Sequence, residues 1–509
     1  MSSLQDKLNE RLEPKLQDTV AIIDGILGNS SDLHRREFNL CGHPDYPGIV
    51  WFLEGMADTS IIDSILMALM VSARELNVEP AELANSEELR TRMMVNASVK
   101  NCETIGDGIA AILAGDSLVV IQGVDRAVIV CAKGIKERSV EEPSSENNVR
   151  GPRDGFNENM RTNTASVRRR IKDPLLRFEA LTIGTRSRTD VNIAYIRDLA
   201  KEELVEEVRK RLERIQIDAI LESGYIEELI EDSPYSPFNT VQSTERPDKV
   251  ASSLLEGRVA IFIDNTPVVL VVPTFFWQFI QAPDDYYNNY WVGSFFRIVR
   301  YIAFLISLLL PSVYVMIVSF HQEMIPTSLA LTIASGREIV PFPVLLEALI
   351  MELAFELMRE AGLRMPKPIG QAVSIVGSLI IGQAAVQAGL VSPFMVIVVA
   401  ITGIASFAIP SYSSSLALRI CRFPLLLASG LFGLLGFAVV FFVLLLHALS
   451  IRSFGEPYLA PASPYRPWDQ RDMLLRVPFW MMDRRPEFAM DGRRMGDRQK
   501  PNTPKEEQK

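Results

Sequence analysis

Four runs decide the fold: 304–320 (FLISLLLPSVYVMIVSF), 369–388 (IGQAVSIVGSLIIGQAAVQA), 393–410 (PFMVIVVAITGIASFAIP) and 425–447 (LLLASGLFGLLGFAVVFFVLLLH). Each is apolar over about the length that a helix, rising about 1.5 Å per residue, needs to cross a hydrocarbon core of roughly 30 Å. The connectors are short, such as LRMPKP at 363–368 and PSYSSSLALRICR at 410–422. The block 294–451 therefore reads as an all-α, multi-span membrane domain, with everything else in front of it or behind it.

One part of the block departs from the pattern. Between His321 and Pro368 the chain is apolar but carries Glu347, Glu352 and Glu356, and is divided by Pro326, Pro341 and Pro343. Carboxylates are costly at mid-bilayer, and irregular backbone there needs protein or water around it. Two readings stay open: an interfacial helix with its glutamates in water, or a sheltered functional cavity. Glu352 and Glu356, four apart, share a helix face, and Glu347 lies about 140° from Glu352.

Outward from the block, the front half reads as soluble. The overall hydrophobic fraction of 48% averages two unlike halves. A net charge of −10 argues against nucleic acid as a partner. Cys41, Cys102, Cys131 and Cys421 are widely spaced and form no metal or disulfide pattern. The start, MSSLQDKLNERLEPKLQ, has no basic and then apolar signal-peptide layout, so the front half is expected in the cytoplasm.

The pattern Leu4, Leu8, Leu12, Leu16, Val20, Ile23 predicts an apolar stripe on a helix interrupted at Pro14, docked on its own domain or on a partner. GIVWFLEGMAD reads as a strand and turn, 59–71 as a helix capped by Thr59 or Ser60, and DSLVVIQGVDRAVIVCAKG as a hairpin turning near Gly123. A small sheet with helices on one side is expected. After a polar linker at 136–149 a second unit follows, with a helix carrying Arg168, Arg169 and Arg170, strands RFEALTIGT and VNIAYI, and the helix KEELVEEVRKRLERI. This suggests a ferredoxin-like or related α/β sandwich. The arginine run is a solvated face or a contact with anionic lipid or a partner subunit.

GRVAIFIDNTPVVLVVP reads as two strands about an Asp264-Asn265 turn, since those residues and Pro267 would break a span. Aromatics cluster from Phe275 to Trp291, as at a bilayer interface. The fold class is thus two small α/β subdomains and then an all-α membrane domain. The expected divisions are 1–148, 149–256, a β-rich and aromatic junction 257–293, 294–451, and an Arg/Pro-rich tail 452–509 that is largely disordered at its end. Positive charge puts the tail and the Arg419/Arg422 connector in the cytoplasm, which calls for an even number of spans or one non-spanning segment.

RGPRDGFNENMRTNTASVRRRIKDP, TERPDKVASSLLEGRVAIFIDNTPVVLVVP, QAPDDYY, the run PFPVLLEALIMELAFELMREAGLRMPKPIGQAVSIVGSLIIGQAAVQAGLVSP and RSFGEPYLAP, in this order between about Val149 and Pro461, resemble the A subunit of GerA-type nutrient germinant receptors of endospore-forming bacteria. The resemblance implies a multi-pass protein of the spore inner membrane. Its partners would be membrane lipid, a transporter-like B subunit that binds the nutrient, a lipoprotein C subunit and further A subunits, with which it would oligomerise into a ligand-gated cation channel that triggers germination. A paralogue linked to the spore dipicolinic-acid channel is the alternative.

From the residues themselves a secondary transporter is also weighed, but only one broken region is visible where paired halves are expected. No G-x-S-x-G, H-E-x-x-H, P-loop or G-x-G-x-x-G stands in a suitable setting, so no enzyme, cofactor, metal or catalytic residue is assigned. Three groups are singled out instead. Arg246, Pro247 and Asp248 form a rigid junction between head and membrane block. Glu352 and Glu356 are candidates for a cation vestibule. Val373, Ser374, Gly377, Ser378, Ile381 and Ala385 make a stripe of small residues that serves either close helix packing or a pore wall.

Overall fold

The structure, a computed structural model, describes residues 7–10, 16–72, 98–124, 126–134, 142, 143, 146, 148–365, 382–490 and 492. The first unit comprises α1 (Leu16–Leu27), β1 (Leu33–Asn39), β2 (Pro47–Leu53), α2 (Thr59–Met67), β3 (Val99–Cys102), α3 (Ile105–Leu113), β4 (Ser117–Ile121) and β5 (Ala127–Val130). Its antiparallel sheet has the order β1-β2-β4-β5-β3. The run IVWFL explains why helices cover both faces, rather than the one expected. With side chains alternating along a strand, Ile49, Trp51 and Leu53 meet α1 and α3 on one side, while Val50 and Phe52 meet Ile62 and Ile65 of α2 on the other. Asp58, one residue ahead of the expected cap, starts α2 by accepting from the Ser60 N–H at 2.9 Å.

The second unit has the same plan. It comprises α4 (Met160–Arg170), β6 (Leu176–Ile183), β7 (Thr189–Ile196), α5 (Glu202–Glu213), α6 (Ser223–Ile230), β8 (Gln242–Thr244), α7 (Pro247–Leu255), β9 (Val259–Ile263) and β10 (Val269–Val272). The order β6-β7-β9-β10-β8 repeats that of the first sheet, again antiparallel. The helices repeat as well, with α5 and α6 on one face and α4 and α7 on the other. This is not the ferredoxin-like arrangement. The boundary expected at 256/257 falls inside the sheet, because β9 pairs with both β7 and β10 through a turn whose Asn265 adopts φ 67°.

The units are joined by a buried charge. Arg168, expected on a solvated face or against lipid or a partner subunit, is 3% exposed and grips Asp32 of the first unit through Nε and Nη2 at 2.7 and 3.1 Å. Ser30 accepts from Arg168 Nη2 and from the Phe178 N–H, and donates to Asp32 at 2.5 Å. Burial pushes the Asp32 carboxyl up, but the adjacent guanidinium and these hydrogen bonds outweigh it and hold it below the usual range.

The helical block contains α8 (Tyr290–Phe320), α9 (Thr327–Arg337), α10 (Val344–Arg364), α11 (Pro393–Phe407) and α12 (Tyr412–Ser450). Among the described residues α8 and α12 are long and apolar enough to cross a membrane. The expected span 425–447 is interrupted: Gly433, at φ 62°, divides α12 into arms 412–432 and 434–450. Only glycine takes this conformation without penalty. His321 Nε2, at the end of α8, lies 3.4 Å from the Leu434 N–H that the break leaves free.

Contacts give the direction of each arm. Phe304 of α8 meets Phe276 beside the second unit, and Phe320, at the far end, meets Gly433. Leu345, early in α10, packs on Gly430 near that far end, and α11 starts beside Gly336 of α9. Ala417 and Leu418 of the first arm of α12 lie beside Phe238 and Phe276 of the head. The second arm returns, with His447 bonded to Ser236 at 2.8 Å and the Thr274 N–H donating to Ser453 Oγ at 2.9 Å. Tyr290 and Ile451 therefore lie on the same, head-ward side of the bundle.

Candidate functional site

The centre of the bundle is charged and paired. Glu352, fully buried on α10, accepts from Arg422 Nη1 of α12 at 2.6 Å. Arg422 also donates from Nε to the Ser307 carbonyl of α8 at 2.8 Å. That carbonyl is available because the residue four further on is Pro311, which has no N–H to offer it. One arginine thus ties three helices. One turn along, Glu356 accepts from Arg419 Nη1 at 2.9 Å. Arg359 lies over the rings of Phe355 and Phe407, at 5.1 and 4.5 Å, and donates to Ser406 Oγ at 2.6 Å.

Glu347 does different work. Its Oε1 accepts from both the N–H and the hydroxyl of Ser392, at 2.7 and 2.6 Å, which fixes the start of α11. Arg337 Nη2 stands 3.6 Å from its other oxygen. The interfacial reading of α10 is thereby overturned: Glu347 and Glu352 are 0% exposed, and protein groups face them. Among the described residues Glu352 Oε1 and Glu356 Oε1 are buried without a hydrogen-bond partner.

The expected connector carrying Arg419 and Arg422 is also corrected, since it is the first half of an arm and both arginines are buried. A signal was present. Glutamates spaced by four and arginines spaced by three form matching faces on two apolar helices, and buried charges demand partners.

The junction residues converge at the base of α8. Arg246 is buried at the start of α7 and donates to both oxygens of Asp248, at 3.1 and 2.8 Å, across the intervening Pro247. It also donates to the Glu146 and Pro152 carbonyls. Tyr287 Oη donates to Asp248 Oδ2 at 2.5 Å, three residues before α8 begins. Burial first, and then this bond to a carboxylate, raise the Tyr287 hydroxyl well above its ordinary pKa. Beside it Asp285 accepts from Arg297 Nε at 3.2 Å and from Arg300, both on α8. Sequence reasoning missed the polar roles of Tyr287, Asp285 and their arginines, reading the tyrosines as part of an aromatic interface and QAPDDYY only as a motif of the resemblance.

Of the proposed stripe, Val373, Ser374, Gly377, Ser378 and Ile381 lie outside the described residues. Residues 382–387 are helical, and Ala385 packs with the cluster of Val315, Met395 and Val399. Gln383 and Gln387 are exposed. Among the described residues no group of three His, Cys, Asp or Glu side chains could hold a metal.

A tandem α/β head fastened by hydrogen bonds to a bundle of apolar helices defines an integral membrane protein with a soluble N-terminal region. Residues 21–488 match the model of the Bacillus/Clostridium GerA spore germination proteins. The chain is 42% identical over 493 residues to spore germination protein KA of Bacillus subtilis (strain 168), covering 96% of this chain and 90% of that one. It is 41% identical over 491 residues to the uncharacterized membrane protein YfkQ of the same organism, covering 96% and 93%. The crystal structure of the N-terminal domain of the A subunit of the Bacillus megaterium spore germinant receptor GerK3 is similar at 36% identity and a TM-score of 0.41, covering 52% of this chain and 98% of that one. The chain belongs to the GerA family of spore germination proteins, as an A subunit. Subunits of this family are not enzymes.

Proposed function

We propose that the chain is the channel-forming subunit of a nutrient receptor in the spore inner membrane. Copies of it surround a cation path, and they act with a transporter-like B subunit that binds the nutrient and a lipoprotein C subunit. The head and the tail lie in the cytoplasm. The observation that carries this reading is the exposed pair Gln383 and Gln387, one turn apart on an apolar helical segment. Primary amides facing hydrocarbon without partners would cost several kcal/mol each, on the order of 4–8 for transfer to an alkane. A wall facing water or a neighbouring copy removes that cost. The chain Arg246, Asp248, Tyr287 supports coupling, because it ties the head to the residues that lead directly into α8.

The test is cation release from spores carrying variants, with the amount of assembled subunit measured alongside. Gln383→Leu with Gln387→Leu is expected to reduce release while assembly persists. Val373→Ala is expected to cause leak or premature germination, and Ser374→Leu or Ser378→Leu to block the response. Loss of the oligomer in the leucine variants, together with no leak from Val373→Ala, would assign these residues to helix packing.

A further inference from the structure

The chain that follows the bundle does not trail away. Residues 472–482 lie along the base of α8, and their position is fixed by hydrogen bonds and a ring contact. Asp472 accepts from Arg297 Nη1 at 2.9 Å and from Tyr286 Oη at 2.6 Å. The Met473 carbonyl accepts from Tyr301 Oη at 2.8 Å, and the Arg476 carbonyl from Ser294 Oγ at 3.0 Å. The Trp480 ring meets Tyr290 edge-on, with centroids 5.9 Å apart.

What this segment turns away from the protein is apolar. Leu474, Leu475, Phe479, Trp480 and Met481 are each 38–50% exposed. The one charged side chain between 473 and 482, Arg476, is buried and donates to the Asn288 carbonyl. At the same level α8 presents Trp291, Phe295, Phe296 and Ile298 outward, while Arg297 and Arg300 turn inward to Asp285. The two surfaces are continuous, and α8 carries its part straight into the span. The flanking charges are turned back onto the protein: Arg471 and Arg484 lie over the Trp468 ring at 4.5 and 4.2 Å, Arg471 stands 3.5 Å from Asp483, and Arg485 donates to the Leu255 carbonyl at 2.9 Å.

We propose that residues 473–482 are an interfacial membrane anchor. They lie in the boundary between headgroups and acyl chains, with Leu474, Leu475 and Trp480 in the bilayer. Exposed leucine and aromatic side chains continuous with an apolar span fit that boundary, where apolar area is buried and aromatic rings sit at the headgroup level. The tail thus clamps the base of α8 from the lipid side, while Asp472 and Asp285 hold it from the protein side.

The test places spin labels at Leu475→Cys and Trp480→Cys in a Cys131→Ser background, since the other three cysteines are buried. Full-length protein is reconstituted in vesicles of phosphatidylcholine and phosphatidylglycerol, with Arg186→Cys, on an exposed turn of the head, as the aqueous control. Both tail labels are expected to collide more with oxygen than with a water-soluble nickel chelate, and the control to show the reverse. Nickel-dominated collisions at 475 and 480 would overturn the proposal in favour of a solvated tail. Protection from both reagents would overturn it in favour of a covering protein surface. Should the labelled variants not fold, the fluorescence difference between the unmodified protein and Trp480→Phe reads the same question: quenching by lipids brominated near the headgroup is expected, and its absence rejects the anchor.

Discussion

Glu352 and Arg422 allow the separation of a structural role from a conducting one. Glu352→Gln leaves a buried guanidinium with Ser307 and a neutral amide oxygen but no counter-charge, and Arg422→Met leaves a buried carboxylate without its partner. Breaking a buried pair from one side costs about 3–5 kcal/mol, whereas replacing both members by well-packed uncharged groups of similar volume removes most of that penalty. At about 1.4 kcal/mol per factor of ten, each single variant should shift the folded population by roughly two to three and a half orders of magnitude. The double variant Glu352→Gln/Arg422→Met should recover most of the loss.

Abundance in the membrane and the midpoint of heat aggregation in detergent, measured for the four members of the cycle, give the coupling. Additive effects, or single variants as stable as the parent, would falsify the pairing. The Glu356 and Arg419 pair should couple less, because Glu356 is 22% exposed. Once the double variant is abundant, its cation flux per assembled subunit, compared with that of Arg422→Met, reports on the carboxylate. Reduced flux puts Glu352 on the ion path, and unchanged flux makes the pair a fastening only.

Pro247→Gly should leave the protein in the membrane and weaken the nutrient response, and Tyr287→Phe, which removes the bond to Asp248, should do the same; an unaltered dose response in both rejects the junction as a coupling element. Glu227 supplies a pH test. Burial first, and then the neighbouring charge of Glu231, push its carboxyl up to about 7, against an unfolded value of about 4.3. Between these values the folded state holds the extra proton, so stability falls as pH rises from about 4.3 and levels off above about 7. Glu227→Gln should remove that slope, gaining heat stability relative to the parent at about pH 8 and not at about pH 4; equal slopes in the two proteins would contradict the assignment.

What was legible in the sequence followed from local chemistry. The hairpin at Gly123 and the turn at Asp264-Asn265 rest on turn preferences within a few neighbouring residues. What was misread depended on partners far along the chain. Arg168 looked solvated because Asp32, which neutralises it, lies 136 residues away. Arg419 and Arg422 looked like a cytoplasmic connector because charge density was read without Glu352 and Glu356 beside it. Gly433 was one glycine among several in an apolar run, and only its backbone angle reveals the reversal. The doubled head topology was hidden because the two sheets share strand order and helix placement while their residues differ.

The balance of charge in the bundle constrains how Glu352 and Glu356 could serve a cation. Around them stand three guanidinium groups, Arg359, Arg419 and Arg422, against two carboxylates. As arranged, this layer has an excess positive charge and repels a cation in a medium where like charges are poorly screened. If the glutamates line an ion path, they do so only after Arg419 and Arg422 have turned away. Arg422 is held to Glu352 and to the carbonyl freed by Pro311, so a shift of α8 against α10 and α12 is the movement that would release it. The base of α8 is where the head is fastened, through Tyr287 and Asp285. A pull on that base is therefore applied to the helix whose Ser307 carbonyl holds the arginine. This links the two predictions: if the head acts through α8, Tyr287→Phe should blunt the response in the parent and have less effect in Glu352→Gln/Arg422→Met, where no arginine remains at 422 to be released. Equal blunting in both backgrounds would separate the junction from the charged layer.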